Sequence, residues 1–219
     1  MTWSEALYWY WKDRGGALFG LYARDQQSSL VLPGPGGDVL LRTEPRGSNQ
    51  YQVYYSITAS LPLTLERPYS LRISPESALR GGLNAVLDQV DRGVARLGGS
   101  HELYQDYDLP QLDRRRVKGD DPGFTRLVLG SLALRRGLEA NPRCGLEVGP
   151  AGPGSREHLA VVWMDEEKAG LPEDDVWVRA EERQSLFAGC GFSQTMDDLV
   201  SLVRALRDAV TAWPMPPDA

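Results

Sequence analysis

Residues 51–65, YQVYYSITASLPLTL, decide the fold class. Tyr51, Val53, Tyr55, Ile57, Ala59, Leu61, Leu63 and Leu65 occupy every odd position, while Gln52, Ser56, Thr58, Ser60 and Thr64 alternate with them. A period of two is the signature of a strand with one face in the core and one in water. A run this long implies an antiparallel sheet, because only such sheets leave a face wet. At ~3.3 Å per residue a straight strand would extend about 50 Å, so a bend or bulge is expected near Pro62, which has no N–H for a ladder.

Working outward, Ser28 to Leu32 and Asp38 to Thr43 read as a hairpin around Pro33-Gly34-Pro35-Gly36-Gly37, a cluster no helix crosses. Leu71 and Ile73 suggest a short strand. Ser74 and Pro75 then open the most periodic helix, with Leu79, Leu83, Val86, Leu87, Val90, Val94 and Leu97 on one face before Gly98-Gly99. A further helix is expected from Asp120-Asp121-Pro122 to Asn141-Pro142. Three strand signals follow, at Leu146 with Val148, at Leu159 with Val161 and Trp163, and at Val176 with Val178. The last helix spans about Gln194 to Trp213, capped at Ser193 or by a Thr195…Asp198 box. At the other end, Thr2 and Glu5 fit a capping box for a helix over residues 2–13, closed by Gly15-Gly16.

Strands in blocks separated by single helices predict an α+β fold. The expectation is a mostly antiparallel sheet packed against three long helices plus a short N-terminal aromatic helix. The 219 residues suit one domain, 1–219. The element order is compatible with a two-layer duplication over about 17–99 and 100–213.

Composition narrows function by exclusion. The formal charge of −6 argues against a nucleic-acid surface, which needs a concentrated basic field. The acid excess is local: eight carboxylates oppose Lys168 and Arg179 between Asp165 and Glu182, as in a solvated loop. No apolar run is long enough for a membrane span, and no signal-peptide pattern is present, so a cytoplasmic protein with thiols at Cys144 and Cys190 is expected. Nucleophile-elbow, phosphate-loop, zinc-helix and paired-cysteine motifs are missing, and no cofactor or metal is expected. Cys190, in a small-residue stretch ahead of the last helix, reads as a small side chain at a tight turn. Of the arginines, only Arg114 to Arg116 cluster in a way that would suit an anion pocket.

Two regions could carry function. Residues 3–11 hold five of the 19 aromatics, Trp3, Tyr8, Trp9, Tyr10 and Trp11. At 100° per residue, Trp3, Leu7 and Tyr10 share one face while Tyr8 and Trp11 lie on another. Surplus aromatics favour self-association or docking of a protein partner through this helix, with Trp3, Tyr8, Trp9 and Trp11 as contacts. The chain is therefore expected to be a non-enzymatic interaction module. The alternative is a metal-assisted hydrolase using Asp106, Asp108 and Asp113, whose spacing does not match a calcium loop. A small-molecule-binding protein is a third reading.

The stretch Leu63-Thr64-Leu65-Glu66-Arg67-Pro68, followed by Asp113-Arg114-Arg115-Arg116-Val117-Lys118-Gly119-Asp120-Asp121-Pro122, resembles an uncharacterised bacterial domain over about residues 30–165. In that domain a β-rich half leads through a phrase of the type F-D-R-R-F-x-V-x-G-D-D-P into a leucine-rich helix. Leu112 and Arg116 stand where the phrase has aromatics. The resemblance implies a fold and carries no activity.

Overall fold

The alternation at residues 53–65 is a strand because Ile57, Ala59, Leu61, Leu63 and Leu65 are all buried on one side. The computed structural model describes residues 3–20, 28–48, 53–75, 115–152, 155–165 and 191–214. In chain order the elements are α1 (Trp3–Arg14), β1 (Ala17–Phe19), β2 (Ser29–Leu32), β3 (Val39–Ser48), β4 (Val53–Thr64), β5 (Leu71–Pro75) and β6 (Arg115–Gly119). Then come α2 (Pro122–Leu129), α3 (Leu132–Ala140), β7 (Cys144–Pro150), β8 (Glu157–Asp165) and α4 (Phe192–Thr211). The fold is α+β, with an antiparallel sheet of eight strands in the order β1-β2-β3-β4-β8-β7-β5-β6. Among the described residues no helix is long and apolar enough to cross a membrane.

The chain divides into two compact units. The first comprises Met1–Pro62 and Val161–Arg204. Here β2 and β3 form the hairpin foreseen around the Pro-Gly cluster, pairing Leu30 with Leu41 and Leu32 with Val39. Next along the rung, Leu41 meets Ala59 and Thr43 meets Ile57, so one apolar face continues across three strands. α1 packs against β1, β2 and β3. The opposite face of β4 is drier than its polar residues suggest, since Ser56 and Thr58 are buried. Thr58 Oγ1 donates to Arg42 O at 3.2 Å, and Ser60 Oγ to Leu40 O at 3.4 Å, so these hydroxyls saturate themselves on the neighbouring backbone. In the β3–β4 ladder, which pairs β4 as far as Ser60 and so stops short of Pro62, a register shift falls between Pro45 and Gly47. Pro45 has no N–H to give the ladder, and the extra residue Arg46 absorbs the mismatch as a bulge.

The second unit comprises Leu63–Ala160 and Ala205–Ala219. β5 lies between β6 and β7, placing Ile73 opposite both Val117 and Leu146 in a buried row. Ser74 and Pro75 belong to this strand, opposite Arg116 and Arg115. The long helix expected after them, with Leu87, lies outside the described residues. The helix expected over 122–141 is two helices. Ser131, extended at ψ 118°, accepts from Leu134 N as a new N-cap, while Gly130 N–H closes α2 on Arg126 and Leu127 carbonyls.

Two further expectations are corrected. α4 starts at Phe192, just after Gly191 at φ +71°; Thr195 Oγ1 bonds back to Gly191 O, and Gln194 donates to Asp198, so neither expected cap forms. In β8 the buried positions are His158, Ala160, Val162 and Trp163, while Leu159 is 41% exposed, one residue out of phase with the sequence expectation. The strand expected at Val176 and Val178, most of the acidic strip and Cys190 lie outside the described residues.

Candidate functional site

α1 has two unlike faces. Ala6 and Leu7, four and three residues before Tyr10, are buried with it, and the helix is tied down by one distant carboxylate. Tyr10 Oη donates to Asp197 Oδ1 at 2.6 Å, and Arg14 Nη2 donates to Asp197 Oδ2, also at 2.6 Å. Burial, then the bond to Asp197 and its negative charge, push the Tyr10 phenol above its ordinary range, so it stays a neutral donor. The same carboxylate raises the Arg14 guanidinium.

The outward face carries the surplus aromatics. Tyr8 meets Trp9 edge-on at 5.4 Å between ring centroids and Trp11 at 5.8 Å. Lys12 Nζ stands 4.8 Å from the Trp11 ring centre and 5.6 Å from that of Tyr8, within cation–π range. Tyr8, Trp9 and Trp11 are each half-buried, and Lys12 is exposed. Trp11 also has a local task. Its Nε1 donates to Gly16 O at 3.2 Å, across the turn where Gly15 and Gly16 take φ of +78° and +99°. A Cβ on Gly16 would strike Val31 O, so this turn into β1 admits only glycine. Trp9 Nε1 is buried without an acceptor. Trp3 opens α1, but its side chain lies outside the described set. Beside this helix, β1 is the terminal strand of the sheet among the described residues, and its Phe19 is 57% exposed.

Among the described residues, the second unit holds a polar network around Asp120, Asp121 and Tyr69. Asp121 Oδ1 accepts from Phe124 N at 2.8 Å, making it the N-cap of α2, and Oδ2 pairs with Arg67. Asp120 Oδ2 accepts from Ser70 N at 2.9 Å, while Asp120 N donates to Ser70 O. Tyr69 Oη and Thr125 Oγ1 lie 2.9 Å apart, and Tyr69 stacks edge-on against Phe124 at 4.8 Å. Gly119 leaves the room this needs, because a Cβ there would stand 2.5 Å from Thr125 Oγ1. His158, 2% exposed, accepts from Tyr69 N at Nε2 and faces Arg156 O with Nδ1 at 2.8 Å. That pair of partners fits the neutral ring protonated on Nδ1.

The two adjacent carboxyls diverge. Burial raises Asp120 despite the bond from Ser70. Burial also opposes ionisation of Asp121, but the Phe124 N–H and the Arg67 guanidinium outweigh it and hold that group low. Divergent carboxyls can mark an acid and a base, yet here both are committed to backbone donors. The phrase Gly119-Asp120-Asp121-Pro122 is thus a helix start welded to the loop at Arg67 to Ser70.

The arginine run does not form an anion pocket at Arg115. Its guanidinium donates to the carbonyls of Leu138 at 2.9 Å, Asn141 at 2.7 Å and Cys144 at 2.5 Å, and so closes the C-terminus of α3. Burial lowers its affinity for the proton. Asp106, Asp108, Asp113 and Arg114 lie outside the described residues. Among the described residues no three His, Cys, Asp or Glu side chains converge as metal ligands.

No protein-family model, curated protein or solved structure matches this chain. The site is therefore read from its own chemistry. Sequence composition pointed to α1; nothing in it pointed to the Asp197 clamp, 187 residues from Tyr10.

Proposed function

We propose that the protein is a non-enzymatic interaction module that docks a protein partner on the outward face of α1. One observation carries this reading: Tyr8 and Lys12 stand on the side of α1 away from Ala6, Leu7 and Tyr10, with the half-buried Trp9 and Trp11 flanking them, on a helix already anchored by Asp197. Aromatics with a polar tip bind well when half-exposed, and a helix fixed beforehand loses little entropy on docking. Cytoplasmic residence is part of the same proposal, as is the absence of a nucleic-acid partner, for which a chain of net charge −6 has no basic field.

Denaturant unfolding of two neighbouring variants tests it. Leu7→Ala should destabilise by about 2–5 kcal/mol, as a buried leucine leaving a cavity does. Tyr8→Ala, which removes a half-buried ring with contacts to Trp9 and Trp11, should cost clearly less, about 1–2 kcal/mol. An equal loss at Tyr8 would place that face in the core and end the reading.

A further inference from the structure

We propose that the segment from Glu66 to Ser70 is a strap released by acid, held to β8 through His158 only while that ring is neutral. The segment lies between β4 and β5, and two successive amides of it end on titratable side chains from different parts of the second unit. Tyr69 N donates to His158 Nε2 at 3.0 Å, and Ser70 N to Asp120 Oδ2 at 2.9 Å. The pair of Arg67 with Asp121 is a third tether.

The partners of the ring fix its tautomer. Arg156 O accepts from Leu65 N at 2.9 Å and faces His158 Nδ1 at 2.8 Å, and a carbonyl can only accept, so the ring hydrogen is on Nδ1. The lone pair of Nε2 is left for Tyr69 N–H. A second proton can go only onto Nε2, where it would meet the Tyr69 hydrogen, donor against donor. The charged ring would also be stranded, because His158 is 2% exposed and among the described residues bonds no carboxylate. The charges on the surrounding elements are committed or in water. On the strap Glu66 is exposed and Arg67 is paired with Asp121, while Asp120 is turned to Ser70 N. Glu147 of β7 pairs with Arg72, and Arg156 and Glu157 of β8 and Arg126 of α2 are exposed. β4 ends in the uncharged run Leu61 to Leu65, and the Tyr69 hydroxyl is bonded to Thr125. Uptake of the proton therefore requires the strap to lift and the ring to reach water.

Hydrogen exchange read amide by amide by NMR, from about pH 7.5 to 5.0 and corrected for intrinsic rates, tests this. A histidine in water charges near pH 6.5. Each further pH unit of acid should therefore favour the open strap by up to about tenfold, for one proton bound. Protection at Tyr69 N and Ser70 N should fall by about tenfold or more across the range, while amides of β5 hold within about threefold. His158→Gln, whose amide oxygen is an acceptor that does not titrate, should flatten the profile at Tyr69. Asp120→Asn should leave that profile as steep as in the wild type.

The wild type alone can overturn the proposal, by flat protection at Tyr69 or by β5 amides that fail in step, which would mean that the whole unit opens. A steep profile kept in His158→Gln, or lost in Asp120→Asn, overturns it too, by moving the titration to another group. Should His158→Gln not fold, the imidazole nitrogen shifts of the wild type take its place. They should show hydrogen on Nδ1 alone at about pH 7.5 and on both nitrogens as Tyr69 N opens. A neutral ring carrying its hydrogen on Nε2 ends the proposal.

Discussion

Asp121 shows how a single side chain can stabilise by shape and by charge at once. It caps α2 through Phe124 N and pairs with Arg67, and its proton affinity is held below the ordinary 3.8. A carboxyl lowered in the folded state contributes stability above its unfolded pKa and loses it as pH falls through the folded value. Asp121→Ala removes both cap and charge and should cost about 1–2 kcal/mol at pH 7. Asn caps as well as Asp, so Asp121→Asn should cost less at pH 7 and approach the wild type as the pH falls through the lowered folded-state pKa of Asp121. Urea unfolding of the three proteins between pH 2.5 and 7 checks this. A gap between Asn and wild type that widens with acid would mean that Arg67 contributes nothing. Sequence reading had the N-cap at Asp120 or Asp121; only the direction of each carboxylate separates them. Asp120 is turned back to Ser70, and that bond joins residues 50 apart.

Among the elements, those with strictly local signals were legible. The β2–β3 turn, the buried odd positions of β4 and the faces of α1 follow from period and from Pro and Gly placement. β8 was read as a strand, but of the three residues that marked it only Trp163 is buried. Leu159, Val161 and Trp163 look like its apolar side, yet His158 takes a buried place because its ring satisfies Tyr69 N and Arg156 O. A polar residue that completes a backbone bond outranks a leucine in that slot, and period counting does not register such bonds. Val162→Asn should therefore destabilise by about 2–4 kcal/mol, by placing an amide among apolar neighbours. Leu159→Asn should stay within about 1 kcal/mol. Thermal unfolding of both decides the phase, and a reversed order would restore the sequence reading. The break between α2 and α3 was missed for a similar reason: Leu127, Val128, Leu134 and Leu138 keep an apolar trend across Gly130-Ser131, although Ser131 starts a new helix.

For the whole molecule, strand order lay beyond sequence reading. β5 pairs with β6 and β7, and β4 neighbours β8, across separations that no local pattern encodes. Among the described residues, the two terminal strands differ in chemistry. β6 carries Arg116 and Lys118 on alternate positions, charges that discourage edge-to-edge pairing, whereas β1 offers Ala17, Leu18 and Phe19. Arg116→Val with Lys118→Val should raise light scattering on incubation at high concentration. Unchanged scattering would show that these charges do not guard the edge. The Asp197 clamp also has a bearing on biosynthesis. Tyr10 and Arg14 leave the ribosome 187 and 183 residues before the carboxylate that holds them. At translation speeds of about 5–20 residues per second, that is a wait of roughly 10–40 s. Throughout it this aromatic helix lacks its final tether, so its apolar rings depend on chaperone cover until Asp197 has emerged.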